Sequence, residues 1–261
     1  MRVAVANLEP SATSAEALDA VAGLAATAAG AGAELLLLPQ RFLGGGRSAS
    51  AASAEPSDGP GARAIGAVAR QAGLAIAYGY AESCSGALHD SLLLVDRTGG
   101  HLANYRRAHV ARGEDGAGDG GAFARGHWLS TMPVAGRRVG LLVGYDLLFP
   151  EAARVLRLAG CDLILVAGGL DPGAGVVTAL LPARALENRC AVAFASADPA
   201  TAPAAVVGPD GASIGRTSGG ASRGLVLADL PAGAGVPPPD RRPRLYARLA
   251  FAEPGAESPR G

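Results

Sequence analysis

Short apolar runs of strand length alternate with helix-like segments along most of this 261-residue chain. The first such group is an apolar run at 2–6, an alanine-rich stretch at 15–29 with Ser14 as a candidate N-cap, and a second apolar run at 34–38. A strand, a helix and a strand in this order are typical of a βαβ unit. The sequence therefore predicts an α/β fold built from layers of sheet and helix.

The second half of the chain repeats this order. Strands are predicted at 139–143, 162–167 and 191–196, and helices at 150–159 and 176–188. Between the halves, the turn at 96–100 joins the segments 88–95 and 101–106 into a predicted hairpin. We expect a single domain over residues 1–261, in which 231–261 form an extended tail rich in Pro and Arg.

Charge and hydropathy exclude several classes of partner. The formal net charge is zero and the pI is near 6.9, so no basic surface is predicted for nucleic acid or for an anionic membrane. No apolar run approaches the roughly 20 residues that cross a bilayer. The N-terminus enters a strand pattern without a basic leader, and a cytoplasmic location is expected.

Cysteine and lysine usage limit the available chemistry. The three cysteines, Cys84, Cys161 and Cys190, are odd in number and widely spaced, so neither a disulfide framework nor a metal site is predicted. All 23 basic residues are arginine, which excludes Schiff-base chemistry, a phosphate-loop lysine and a lysine general base. No cofactor is predicted.

Three segments carry a resemblance to a known family: 32–39, 105–109 and 139–151. They resemble the segments that hold the Glu, Lys and Cys of the nitrilase, or carbon–nitrogen hydrolase, superfamily. Further similar segments follow in the expected order at 79–82, 184–188, 207–211 and 240–246. The resemblance implies a four-layer αββα sandwich of two mixed sheets covered by helices. It also implies pairing through helices, so a homodimer or higher homo-oligomer is expected.

The three chemical positions of that family read Gln40, Arg107 and Gly144 in this chain. Gly144 has no side chain, so no covalent acyl intermediate can form there. The amide of Gln40 neither accepts nor releases a proton near neutral pH, whereas Arg107 keeps a positive charge on a planar fork. The sequence therefore predicts that cysteine-dependent amidase or nitrilase activity is absent.

The same substitutions suggest a ligand site. We expect Gly144 to open volume where the family has a thiol, and Gln40 and Arg107 together to offer about seven N–H donors beside it. Such donors suit a carboxylate or another planar, acceptor-rich small molecule, and Gln40, Arg107 and Tyr145 are the predicted ligand-binding residues. The alternative, given equal weight, is a neutral cavity that is not used.

Four polar residues are candidates for acid–base chemistry without a covalent intermediate, namely Asp146, Glu187, His109 and Asp119. The resemblance also implies structural roles for three of these residues. In that interpretation His109 is a hydrogen-bonded structural residue, Glu187 pairs with an arginine, and Asp146 orients backbone at a turn.

Two acidic positions depart from the family pattern. Asp90 stands where relatives often have Asn, which is either local tuning or a new acid. The family has a further supporting Glu between its Lys and Cys segments, and either Glu114 or Asp119 corresponds to it within the glycine-rich stretch 113–121.

Three functions remain open, in decreasing order of preference. The first is an inactive nitrilase-fold protein that binds a ligand or stabilises a partner. The second is a repurposed enzyme with non-covalent acid–base chemistry, such as a lyase, cyclase or isomerase of a small polar metabolite. The third is residual amidohydrolase activity through water activated by another carboxylate.

Overall fold

The computed structural model describes residues 1–11, 13–46, 49–111, 123–168, 174–216, 224–232 and 241–246. The strands are β1 (Arg2–Asn7), β2 (Leu35–Leu37), β3 (Ala75–Cys84), β4 (Ala87–Val95), β5 (His101–Arg106), β6 (Thr131–Val134), β7 (Arg137–Val143), β8 (Leu163–Gly168), β9 (Ala191–Ser196), β10 (Ala205–Val207), β11 (Ser213–Arg216) and β12 (Gly224–Asp229). The helices are α1 (Ser14–Gly30), α2 (Pro60–Ala72), α3 (Pro150–Leu158), α4 (Ala174–Asn188) and the short α5 (Pro243–Tyr246).

The strands join in the order β5-β4-β3-β2-β1-β9-β8-β7-β6, with β12 on β1 and β10 between β9 and β11. Strands β2, β1, β9, β8 and β7 run parallel, as the βαβ pattern predicts. The sheet folds back on itself, because β4 and β5 pack against β7. The mixed α/β architecture predicted from the sequence, an αββα sandwich, is confirmed.

Alternation along the strands explains the layers. Val3 and Val5 face the core between the two halves of the sheet, whereas Ala4 and Ala6 face the helices α1 and α2. In β2, Leu35 and Leu37 face the inner core and Leu36 faces the helices. A strand buried on both faces needs an unbroken apolar run, which is why 34–38 is so rich in leucine.

One expectation on a segment end changes. The N-cap of α1 is Thr13 and not Ser14, because Thr13 Oγ1 accepts from Glu16 N at 3.2 Å and Glu16 Oε2 accepts from Thr13 N at 3.3 Å. The predicted tail, 231–261, lies mostly outside the described residues, and within it 243–246 form a helical turn. None of the described helices has the length and hydropathy needed to cross a membrane.

Candidate functional site

Gln40, Arg107 and Gly144 each follow a strand at the same edge of the sheet. Gln40 lies just beyond β2, Arg107 directly after β5, and Gly144 directly after β7 at the start of a 3₁₀ turn, Gly144–Leu148. The carboxyl ends of these strands meet at one edge, where ligand sites of α/β proteins usually form. The fold therefore brings the three predicted positions together.

Gly79 on β3 allows the chain at Gln40 to reach this place. A Cβ at position 79 would lie 2.5 Å from the Pro39 carbonyl oxygen and 2.7 Å from Gln40 Cα, so only glycine permits the approach. Gly79 N donates to Pro39 O at 3.2 Å, and Leu43 N donates to Gly79 O at 3.1 Å. These contacts fix the backbone on both sides of Gln40.

The side chain of Gln40 lies against Gly144. A Cβ at position 144 would lie 2.6 Å from Gln40 Oε1 and 3.0 Å from both Cδ and Nε2. Gly144 also has φ +42°, a left-handed conformation that favours glycine. The expectation that Gly144 opens volume is wrong, because the Gln40 amide fills the space that a side chain would take.

Asp90 is the centre of a buried polar cluster beside this contact. Its Oδ2 accepts from Gln40 Nε2 at 2.7 Å, from Arg41 Nε at 2.9 Å and from Arg41 Nη2 at 2.8 Å, and lies 3.5 Å from Arg107 Nη1. The side chains of Asp90 and Arg107 are fully buried. We call Gln40, Arg41, Asp90 and Arg107 the Asp90 cluster.

Arg41 was not predicted as a site residue. It has φ +47°, a conformation that side chains rarely adopt, and its guanidinium lies 4.2 Å from the centre of the Phe123 ring. The Arg107 guanidinium lies 5.9 Å from the same ring. Nothing in the sequence marks Arg41, whereas the resemblance singles out Asp90.

A second buried carboxylate, Asp146, lies two residues after Gly144. Its Oδ1 accepts from His109 N at 2.9 Å and contacts His109 Nδ1 at 2.8 Å. Its Oδ2 accepts from Tyr105 Oη at 2.8 Å and from Val143 N at 3.1 Å. Burial, together with the Asp146 carboxylate, raises the pKa of Tyr105 well above its ordinary value, so this hydroxyl stays a donor.

Aromatic rings cover the His109 side of this carboxylate. The His109 ring stacks on Phe149 with centroids 3.7 Å apart, and its side chain is 32% exposed. Tyr145 packs edge-on against Phe149, with centroids 5.5 Å apart. His109 therefore has one ring nitrogen held by a buried carboxylate and an edge that solvent reaches.

Of the two remaining acid–base candidates, Glu187 lies apart from these clusters. Glu187 on α4 lies 3.2 Å from Arg184 Nη1, and it is not among the described contacts of Gln40, Gly144 or Arg107. Arg184 donates to the carbonyl oxygens of Leu147 and Leu148, both at 3.1 Å, and so holds the turn after Gly144. Asp119, like Glu114, lies outside the described residues.

A third buried carboxylate, Glu82 on β3, is paired with an arginine. It accepts from Arg106 Nη2 at 2.7 Å and from Ser91 Oγ at 2.7 Å. Burial alone would raise the pKa of Glu82, but the hydrogen bonds from Arg106 and Ser91 outweigh it, and the pKa is lowered from its ordinary value. Among the described residues, no three His, Cys, Asp or Glu side chains group as metal ligands.

Comparison with known proteins places this chain in a family. Residues 2–235 match the family model described as carbon–nitrogen hydrolase. A Mycobacterium tuberculosis protein named as a hydrolase is 30% identical over 245 residues, which cover 91% of this chain and 86% of that protein. An (R)-stereoselective amidase of a Pseudomonas species is 33% identical over 60% of this chain.

Some curated relatives match over little more than half their own length. The amidase match covers 56% of that protein, and the match to a Pseudomonas protegens protein, named as a hydrolase in the pqqF 5′ region, covers 58% of its length and 63% of this chain at 42% identity. The chain thus spans a little over half of these two proteins.

Solved structures of an amidase from Nesterenkonia sp. AN1 are similar over nearly the whole chain. One has a TM-score of 0.81 at 29% identity and covers 95% of this chain and 96% of the amidase. A double mutant of that amidase, with a glutamate changed to glutamine and a cysteine changed to alanine, was solved in complex with acrylamide. It has a TM-score of 0.81 at 30% identity and covers 95% of this chain and 97% of its own.

Proposed function

We propose a function from one premise: this chain belongs to the carbon–nitrogen hydrolase family. Within that family it is a member that binds a small carboxamide or a related planar molecule and does not hydrolyse it. The observation that carries the proposal is the contact between Gly144 and the Gln40 amide: residue 144 supplies no nucleophile, and the Gln40 amide lies where a side chain at that position would begin.

Two of the described cysteines, Cys161 and Cys190, do not replace the nucleophile that hydrolysis needs. By the resemblance, residue 144 is the position of the nucleophile, and glycine supplies none. Cys161 and Cys190 precede β8 and β9 and so lie toward the opposite edge of the sheet. Burial raises the pKa of Cys190 to about 12 and also raises that of Cys161, so both stay thiols at neutral pH.

The polar atoms of the Asp90 cluster favour a carboxamide over the carboxylate expected from the sequence. The sequence predicts that Arg107 binds the carboxylate of a ligand, but in the structure the carboxylate of Asp90 lies beside Arg107 instead. Among the described side chains, Gln40 Oε1 and Asp90 Oδ1 are buried acceptors with no hydrogen-bond partner. An amide group brings N–H donors for such acceptors and a carbonyl oxygen for a guanidinium, whereas a carboxylate brings acceptors alone.

The amidase double mutant supports this proposal by analogy. That protein, with glutamine and alanine in place of a glutamate and a cysteine, was solved with acrylamide. This chain has Gln40 and Gly144 at the positions that the resemblance equates with the family's Glu and Cys. We propose that it retains amide binding in the same way.

Titration calorimetry with butyramide and with butyrate tests this function. We expect butyramide to bind about tenfold more tightly than butyrate, since a carboxylate leaves a buried acceptor unpaired. Gln40→Met removes that acceptor and should weaken butyramide binding about tenfold. The matched control is Gln71→Met, at an exposed glutamine on α2, which should bind like the natural chain. Tighter binding of butyrate than of butyramide would contradict the ligand class.

A second candidate function rests on His109 and Asp146. Asp146 Oδ1 holds His109 Nδ1 at 2.8 Å, an arrangement that leaves Nε2 as the basic nitrogen at the exposed edge of the ring. Such a pair suits proton abstraction from a small polar metabolite without a covalent intermediate. Proton exchange at the carbon next to the carbonyl of butyramide in D₂O, followed by NMR, tests it. Exchange that persists in His109→Gln would exclude His109 as the base.

We also propose that the chain forms a homodimer through α3 and α4. Val155 and Leu158 on α3 and Leu186 on α4 are 46%, 50% and 59% exposed, which is high for large apolar side chains. Light scattering on Leu186→Glu and, as a control, on Leu102→Glu tests the surface. Leu102 is 38% exposed on β5. A natural chain that is monomeric at micromolar concentration would end this proposal.

A further inference from the structure

We infer that Asp90 is the positioning residue that holds the site in its non-hydrolytic form, and that Asp90 and Gln40 are a charge-exchanged pair. The buried negative charge that a glutamate at position 40 would carry lies instead on residue 90. The inference rests on the proposed function, because it explains how a site without a nucleophile stays fixed.

Asp90 sets the orientation of the Gln40 amide. Gln40 Nε2 donates to Asp90 Oδ2 at 2.7 Å, so Oε1 must point the other way. That direction is toward Gly144, where a Cβ would meet Oε1 at 2.6 Å. Flipping the amide would place Oε1 against the carboxylate, which is repulsive. The carboxylate at 90 therefore determines which end of the Gln40 amide lies nearer to residue 144, since a Cβ there would lie 2.6 Å from Oε1 and 3.0 Å from Nε2.

Asp90 Oδ2 has no place for a second carboxylate oxygen beside it. Asp90 Oδ2 already receives Gln40, Arg41 and Arg107, and all of these side chains are buried. A glutamate at position 40 would put a second carboxylate oxygen about where Nε2 now lies, at hydrogen-bond distance from the first. Two ionised carboxylate oxygens at this distance repel each other and have no proton between them, so one must take a proton or the pair must separate.

Asparagine at position 90 would remove the conflict with little change of shape. Its amide can donate to a carboxylate at position 40, and Arg41 and Arg107 would then face that carboxylate's charge. The number of charges in the cluster is unchanged by the exchange. The structure thus predicts that Gln40→Glu is tolerated only together with Asp90→Asn.

A thermal unfolding cycle over the natural chain, Q40E, D90N and Q40E/D90N tests the exchange at neutral pH. Q40E should lower the melting temperature by about 6 °C, since it adds a like charge to a buried site. D90N alone should lower it by about 3 °C. Q40E/D90N should melt above Q40E, because the second change relieves the first. Q71E with and without D90N is the control, in which the two changes should simply add.

A second experiment measures the reactivity of a thiol in the site, which does not depend on stability alone. G144C is introduced with D90N, with Q40E, and with Q40E/D90N, and the rate of alkylation at position 144 by iodoacetamide is measured by mass spectrometry. The thiol should react about tenfold faster with Q40E/D90N than with either single change, since only that combination places an ionised carboxylate beside it.

Two results would overturn the inference. One is a Q40E/D90N chain whose loss in melting temperature equals the sum of the two single losses. The other is equal alkylation of G144C with Q40E alone and with Q40E/D90N. Cleavage of butyramide by the natural chain would instead defeat the proposed function, and it would leave the result of the unfolding cycle unaffected.

Discussion

Asp90 and Asp146 are both fully buried carboxylates near Gly144, yet they are held in opposite ways. Asp146 uses both oxygens and receives backbone N–H groups from His109 and Val143. Asp90 uses only Oδ2, and its hydrogen-bond donors are the side chains of Gln40 and Arg41. The difference is one of role: Asp146 fixes the path of the chain around the site, whereas Asp90 fixes the side chains of Gln40 and Arg41 within it.

The largest expected effect is that of Asp146→Asn. An asparagine must turn its NH₂ group toward one oxygen's pair of partners, so at least one backbone N–H, that of His109 or of Val143, loses its acceptor. We expect a loss of about 3 kcal/mol in the free energy of unfolding, measured by urea denaturation. Asp146→Asn as stable as the natural chain would show that Asp146 does not fix the frame.

A smaller effect is expected for Gly144→Ala. The added Cβ lies 2.6 Å from Gln40 Oε1, and φ +42° strains any residue other than glycine. We expect a loss of about 2 kcal/mol. In a Gln40→Ala background the contact is gone and only the backbone strain should remain, so the same change should cost about 1 kcal/mol. Equal costs in the two backgrounds would mean that Gln40 does not occupy this space.

Asp90→Asn should cost less than Asp146→Asn. The Oδ1 atom of an asparagine at position 90 can take over the contacts that Asp90 Oδ2 makes. Its NH₂ group then lies where Asp90 Oδ1 now has no hydrogen-bond partner among the described residues. The loss of charge beside Arg41 and Arg107 should still cost about 1 kcal/mol. Measured in the same urea series, a loss for Asp90→Asn as large as that for Asp146→Asn would erase the distinction between the two carboxylates.

The smallest effect concerns acid stability through Glu82. Its pKa in the folded chain lies below its ordinary value of 4.5, so its contribution is present above that pH and is lost as the pH falls through the folded pKa. Arg106→Gln removes the main hydrogen-bond donor and should flatten this dependence below pH 4.5. Urea denaturation at several pH values gives the slope. An unchanged slope would show that Arg106 does not lower this pKa.

The fold follows closely from local sequence patterns. The apolar runs at 2–6 and 139–143 become β1 and β7 because strands buried on both faces must be apolar throughout. The edge at which Gln40 and Gly144 meet also follows, since parallel strands place their carboxyl ends together. The N-cap of α1 was misplaced by one residue, because Thr13 and Ser14 are both good caps and only Thr13 has Glu three positions later.

The interior of the site could not be predicted in the same way. The contact of Gln40 with Asp90 joins residues fifty positions apart, and no periodicity encodes it. The expectation of open space counted the atoms missing at Gly144 but not the Gln40 side chain that takes their place. Arg41 has a left-handed backbone that is typical of glycine or asparagine, so its residue type gave no warning.

The central claim is that the carbon–nitrogen hydrolase fold of this chain holds an amide without cleaving it. The most direct test incubates the natural chain with a saturating concentration of butyramide. The ammonia released is measured before and after the cysteines of the chain are alkylated. The account predicts no ammonia above the buffer rate and intact butyramide in both cases. Ammonia release that alkylation abolishes would contradict it.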